Sequence, residues 1–406
     1  MEREKPLYIS LTAPNSHKVT IQPGVGSFSI STKGISKGKC DVIVEKDAII
    51  NWDAFNKFYT PHGKTHYREY PNGDWPRVFY YHGNDQGFVN WSFKRNIEDF
   101  NWYPTENTFL DLTKANIGCF LLNQGTYTTT IDIGDKINSI FFKGHLENIT
   151  INKCIKTPYL YFHPILSKRN LLPYSLPEFK LLHNATSIDI TVEPIGQAFN
   201  CESLLQFPHI KNLNLSGNFT NWEVLKNLKE IQTIAVRFSP DLKDFPPLST
   251  WKKLNSFIGW NIEETIGKEL NIQLKTLAKQ KELEYSSVSQ LRKKIWFKNE
   301  YGMPFSSWEN KTAKIAIKAY KEAVKEIKKS KTENEVQNAI ITFVKIINSL
   351  PNIETSERED AGIAIEQLVE NSALNISQER YINGLMKPEI FKFSMSMTSA
   401  RNQKSL

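Results

Sequence analysis

The sequence predicts a mixed β-then-α chain, and three observations predict it. Between residues 106 and 260, apolar residues set two positions apart recur at near-regular intervals, as a series of short half-buried strands requires. Ahead of them, residues 1–105 combine alternating strand-like runs with a cluster of tryptophans. Beyond Trp260 the apolar spacing changes to three and four and capping motifs appear, the signature of amphipathic helices. The expected domains are a β-rich, aromatic-rich N-terminal cap over 1–105, a stack of strand-bearing units over 106–260, an α-helical domain over 261–390 and a flexible tail over 391–406.

In the cap, Lys18-Val-Thr-Ile-Gln and Ser27-Phe-Ser-Ile-Ser alternate as half-buried strands do, with Pro23-Gly-Val-Gly between them, and Asp41-Val-Ile-Val supplies a third strand. The segment 52–102 holds Trp52, Trp75, Trp91 and Trp102 among the turn makers Pro71-Asn-Gly and His82-Gly-Asn. It fits an aromatic recognition surface, because Trp and Tyr give large contact area at little entropic cost. It also fits an irregular subdomain that buries its aromatics over the end of the stack, which is the preferred reading. His62 and His66 stand four apart and could share a metal on a helix, but Pro61 and Gly63 argue for a loop, and Glu69 is the one nearby carboxylate. No metal and no cofactor is expected.

Over 106–260 the strand positions are Leu110 with Leu112, Ile131 with Ile133, Ile149 with Ile151, Ile188 with Ile190, Leu213 with Leu215, Ile234 with Val236, and Phe257. The first members of the last four, at 188, 213, 234 and 257, are separated by 25, 21 and 23 residues. Thr157-Pro, His163-Pro, Leu172-Pro and Leu176-Pro interrupt the series and imply an extended insertion. Phe207, Ile210, Leu213, Leu215 and Asn218 read as F-x-x-I-x-x-L-x-L-x-x-N, and Leu146, Ile149, Ile151 and Cys154 as L-x-x-I-x-I-x-x-C. This pattern resembles a leucine-rich repeat. The resemblance covers about a third of the chain and implies a leucine-rich-repeat-like solenoid whose apolar positions merge into one elongated core. It also implies that Asn218 bonds backbone groups in its own tight turn, and that the sheet face recognises protein and performs no chemistry.

Residues flanking each apolar pair point away from the core, which places Asn148, Thr150 and Asn152, then Ser187, Asp189 and Thr191, then Asn212, Asn214 and Ser216 on the exposed face. Thr233, Ala235 and Arg237, then Ser256, Ile258 and Trp260, continue it. The candidate protein-binding residues are Asp189, Asn214, Arg237 and Trp260, since Arg and Trp are the types most enriched among binding hot spots. Trp260 has an alternative place under the following helix.

The helical pattern begins with Ile262, Ile266, Leu270 and Leu277, and a second helix is expected through Val288, Leu291 and Ile295. Ser306 to Glu309, Thr332 to Glu335 and Ser356 to Glu359 are capping boxes that open three further helices, and Pro351 stops the second of these. Residues 251–350 contain 19 Lys or Arg against 11 Asp or Glu, a surplus of 19 − 11 = +8 that equals the whole net charge. Leu291-Arg-Lys-Lys-Ile-Trp-Phe-Lys298 mixes cations with aromatics as a nucleic-acid site would. The lysines at 314, 318, 321, 325 and 328, with Glu322 and Glu326, instead read as the solvent side of a soluble helix.

No phosphate loop, dinucleotide glycine motif, nucleophile elbow or H-E-x-x-H is present. The helical ubiquitin-ligase domain of some bacterial repeat effectors needs a Cys-x-Asp, yet the last cysteine, Cys201, precedes the helices. Cys40, Cys119, Cys154 and Cys201 are scattered as free thiols of a reducing compartment would be. There is no membrane-spanning run and no secretion signal. Asn352-Ile-Glu-Thr-Ser-Glu-Arg-Glu-Asp resembles the helix starts of bacterial cytosolic immunity proteins, which implies a cytoplasmic binder that neutralises a toxin domain. The expectation is therefore a non-enzymatic protein-binding module. A nucleic-acid binder using the basic helices 288–330, or an enzyme using the aromatic and histidine region 52–102, is the alternative.

Overall fold

The computed structural model describes residues 6–374 apart from 13–15, 23–24, 35–39, 58, 61–62, 65–68, 71–72, 75, 168–171, 194, 299–303, 306–307, 352, 354 and 373. The chain opens with an antiparallel hairpin, β1 (Leu7–Thr12) and β2 (Ser16–Ile21), followed by β3 (Ser27–Thr32) and β4 (Val42–Val44). Two minimal antiparallel pairs come next, β5 (Tyr59–Thr60) with β8 (Gly73–Asp74) and β6 (Gly63–Lys64) with β7 (Glu69–Tyr70). After β9 (Val78–His82) and the short helix α1 (Gly87–Ser92) come β10 (Ile97–Tyr103), β11 (Thr108–Leu112), β12 (Ile117–Gln124) and β13 (Thr129–Ile133). They are followed by β14 (Ser139–Gly144), β15 (Ile149–Cys154), β16 (Tyr159–Pro164), β17 (Ser187–Thr191), β18 (Phe199–Asn200) and β19 (Asn212–Ser216). The last strands are β20 (Phe219–Thr220), β21 (Thr233–Arg237), β22 (Ser256–Trp260) and β23 (Ser287–Ser289).

Twelve of these strands form one sheet in the order β23-β22-β21-β19-β17-β16-β14-β12-β10-β9-β3-β4, with every pairing parallel. Most of its strands alternate. Phe79 and Tyr81, Phe120 and Leu122, Leu160 and Phe162, Ile188 and Ile190, and Leu213 and Leu215 are all buried on the inner face, while their neighbours turn outward. A smaller parallel sheet, β11-β13-β15, and 3-10 turns carrying Leu182, Leu204, Trp222, Leu225 and Leu248 cover that inner face, and one hydrophobic core lies between. Because parallel strands keep like positions level, aromatic residues stack across them, as in Phe100 on Phe120 with planes 5° apart and Phe142 on Phe162.

The chain divides into two compact units, residues 1–292 and 293–406. In the first, α2 (Glu264–Gln280) lies between β22 and β23, and its N-cap Glu263 accepts the backbone N–H groups of Thr265 and Ile266 at 2.9 and 3.1 Å. The second begins with the three-residue helix α3 (Lys294–Trp296) and contains α4 (Asn310–Lys329), α5 (Glu333–Asn348) and α6 (Thr355–Glu370), packed on Phe305, Tyr320, Ile340, Phe343, Ile347 and Leu368. Among the described residues no helix is long and apolar enough to cross a membrane.

These findings overturn the expected fold class. A leucine-rich-repeat-like solenoid limited to 106–260, with a separate β-rich cap before it and helices after it, is replaced by one 12-stranded parallel sheet running from Ser27 to Ser289, followed by helices. The expected cap is not separate, since β3, β9 and β10 are consecutive members of that sheet. The phase over 106–160 is also different. The pairs at 110 and 112, 131 and 133, and 149 and 151 build the smaller sheet, and the large sheet instead takes Phe120 with Leu122, Ile140 with Phe142, and Leu160 with Phe162. Spacing by two says that a residue pair buries one face; it does not say which of two stacked sheets receives it. β16 occupies part of the stretch expected as an insertion. Asn218 donates to the carbonyl of Gly196 at 3.0 Å, tying down the preceding connection and not its own turn. The helix expected through Val288 is strand β23, because pairing with β22 outweighs its local spacing.

Of the three expected capping boxes, the one at Thr332 is present, with its hydroxyl accepting the Glu335 N–H and the Glu335 carboxylate accepting the Thr332 N–H. α4 starts from Glu309 with no side-chain cap bond, and Ser306 lies outside the described residues, as do the Ser356 side chain and the expected tail.

Candidate functional site: the outer face of the parallel sheet

The outward residues of the large sheet line up in rows that run across the strands. One row passes through Tyr80, Asn101, Leu121, Phe141, Tyr161, Asp189, Asn214, Ala235 and Ile258. The next row toward the strand C-termini passes through His82 and Tyr103, then Asn123, Lys143 and His163, then Thr191, Ser216, Arg237 and Trp260. All four residues expected to bind protein stand on this face, three strands of it bringing Asp189, Asn214 and Arg237 together. Asn148, Thr150 and Asn152 do not belong to it, because β15 is in the smaller sheet and Asn148 donates to the Gly125 carbonyl.

At its centre Asn214 donates from Nδ2 to Oδ1 of Asp189, its register neighbour. Burial holds the Asp189 carboxyl above its usual range, while the bond from Asn214 and the Arg237 guanidinium pull the other way. At one end Trp260 is 39% exposed and meets Phe238 edge-on, with ring centroids 4.9 Å apart, so it is not packed away under α2. Phe238 reaches it from a left-handed backbone at φ 50°, which costs an L-residue roughly 1 kcal/mol or more and is held by the surrounding turn.

The other half of the face was not anticipated from sequence. His82 stacks on Tyr103 and Phe141 on Tyr161, both pairs at 3.8 Å between centroids with planes 9° and 5° apart, and Tyr80 and Tyr159 stand beside them, 40% and 39% exposed. The signal was available in Tyr159-Leu-Tyr-Phe-His163, where Leu160 and Phe162 alternate with three outward aromatic or imidazole groups. Strands at ~4.8 Å spacing force stacked level rings to stand on end. Each ring spends one face on its partner. Burial raises the Tyr103 and Tyr161 hydroxyl pKa values, with Tyr80 adding to the first and Asp189 to the second, so both phenols remain protonated donors. Burial lowers His82, and burial together with Lys143 lowers His163, so both imidazoles are neutral at neutral pH. Cys119 lies in the same face with its thiol pushed up by burial, which makes it a poor nucleophile.

The tryptophans of the 52–102 segment have a different role. Trp52, Trp91 and Trp102 are buried, with Trp52 stacked on Trp91 at 5.6 Å, and they form the core under the first strands of the sheet. Trp75, His62 and His66 lie outside the described residues, and so does the Glu69 side chain. Among the described residues no three His, Cys, Asp or Glu side chains gather as a metal site would need. On α4, Lys314, Lys318, Lys321, Lys325 and Lys328 are exposed opposite a face buried through Ala316, Tyr320 and Ile327. Comparison with known proteins returns no matching family model, no matching curated protein and no matching solved structure.

Proposed function

We propose that this chain is a non-enzymatic protein-binding module whose recognition surface is the outer face of its parallel sheet. The observation that carries the reading is the pair of aromatic stacks, His82 on Tyr103 and Phe141 on Tyr161, half-buried on one sheet face beside the exposed Tyr80 and Tyr159, with the exposed Trp260 at its far end. Fixed aromatics that lose little side-chain entropy on binding suit the centre of a protein interface. An immunity role fits within this reading: the partner would be a toxin domain, met in the cytoplasm, as the resemblance at residues 352–360 implies.

Capture from a lysate by the full chain tests it. Tyr161→Ala and Trp260→Ala each lower the yield of a stoichiometric protein partner, and an anchor worth about 2 kcal/mol corresponds to about thirtyfold in affinity. Lys318→Glu on α4 leaves the yield unchanged. A partner retained by both sheet variants and lost with Lys318→Glu moves the site to the helices.

A further inference from the structure

We infer that the partner presents an acidic segment, which lies across the strands along the row Lys143, His163, Thr191, Ser216 and Arg237. This inference rests on the proposed binding face and names the chemistry of what occupies it. The five residues come from five successive strands, β14, β16, β17, β19 and β21, and occupy the same level in each. Each is turned outward, and Lys143, His163 and Thr191 are exposed. All of them donate hydrogen bonds: an ammonium, an imidazole, two hydroxyls and a guanidinium. Not one is a carboxylate.

Four strand steps at ~4.8 Å separate Lys143 from Arg237 by roughly 19 Å, the reach of about six extended residues. An acidic segment can thus meet a cation at each end and hydroxyl donors between them. Among the described residues, Asp189 stands a row back, where Asn214 and Arg237 already engage it, and Glu193 follows Thr191 by two residues. Asp99 lies further off on β10. These carboxylates oppose a backbone that carries a charge at every unit, such as a nucleic acid, and they are compatible with a peptide whose carboxylates are spaced to meet Lys143 and Arg237. His163 is neutral at neutral pH and donates one N–H; it adds no permanent charge.

The test titrates the full chain with a fluorescently labelled peptide of eight glutamates, its eight-glutamine counterpart and a twelve-base oligothymidine, at low and at physiological salt. The glutamate peptide is expected to bind, more weakly as salt rises. The double variant K143E/R237E, folded by circular dichroism, is expected to lose about tenfold or more, each exposed charge contributing up to ~1 kcal/mol and each tenfold being ~1.4 kcal/mol. Asp189→Asn is expected to tighten binding, and a K318E/K325E control on α4 to leave it unchanged. The inference is overturned if the glutamine peptide binds equally well, if K143E/R237E has no effect, or if the oligothymidine binds more tightly through the same two residues. A captured partner that depends on Trp260 while the glutamate peptide fails to bind removes the acidic segment and leaves the face. A partner indifferent to both Tyr161→Ala and Trp260→Ala removes the face itself.

Discussion

Asp189 shows how a single carboxyl reports its surroundings. Burial raises its pKa in the folded chain above the unfolded value, so its ionisation works against folding. The contribution of the neutral form is complete below the unfolded carboxyl range and is lost as pH rises through the folded pKa. Asp189→Asn keeps an acceptor for Asn214 and removes the charge. The variant should therefore match the parent at low pH and exceed it in stability at neutral pH, as urea unfolding at several pH values would measure; a variant less stable at neutral pH would contradict the account. Alternation alone identifies Asp189, Asn214, Arg237 and Trp260 as outward residues, and that much was legible. Their bonds were not, because the Asn214 to Asp189 contact depends on a strand register that links positions 25 apart.

At the scale of elements, helices are the readable part. Thr332 with Glu335 announces α5, and both halves of the box form. Thr332→Ala should cost about 1 kcal/mol, seen as a lower denaturation midpoint of the helical unit. The Glu335 carboxyl is held below its usual range by the backbone N–H groups of Lys331 and Thr332. Its share of the cap is present above the ordinary carboxyl range and fades as pH falls through the depressed value. Strands are readable as strands, but not as members of a given sheet. Leu110 with Leu112 and Leu160 with Phe162 have the same alternation, and they end in different layers because register and neighbours decide, and those are set by residues far away in the chain. Val288 sits at helical spacing from Leu291 and Ile295, and still the open edge of β22 claims it.

Across the whole molecule, two separate cores follow from two apolar sets, one under the sheet and one among α4, α5 and α6. Phe343→Ala should remove about 3 to 5 kcal/mol from the helical unit and leave the unfolding of the sheet unit in place, which calorimetry would resolve as one shifted transition and one unshifted. The number of strands in the sheet was beyond the sequence, since β3, β9 and β10 carry no mark that separates a sheet member from a cap strand. The strand order has a consequence for biosynthesis. From β9 to β23, each strand of the large sheet pairs with the next one of that sheet to be synthesised. A nascent chain can thus lay down the sheet in the order in which it leaves the ribosome, closing loops of similar length each time at similar entropic cost. Throughout that growth the newest strand is the edge that moves, while β4 stays at the other end of the sheet.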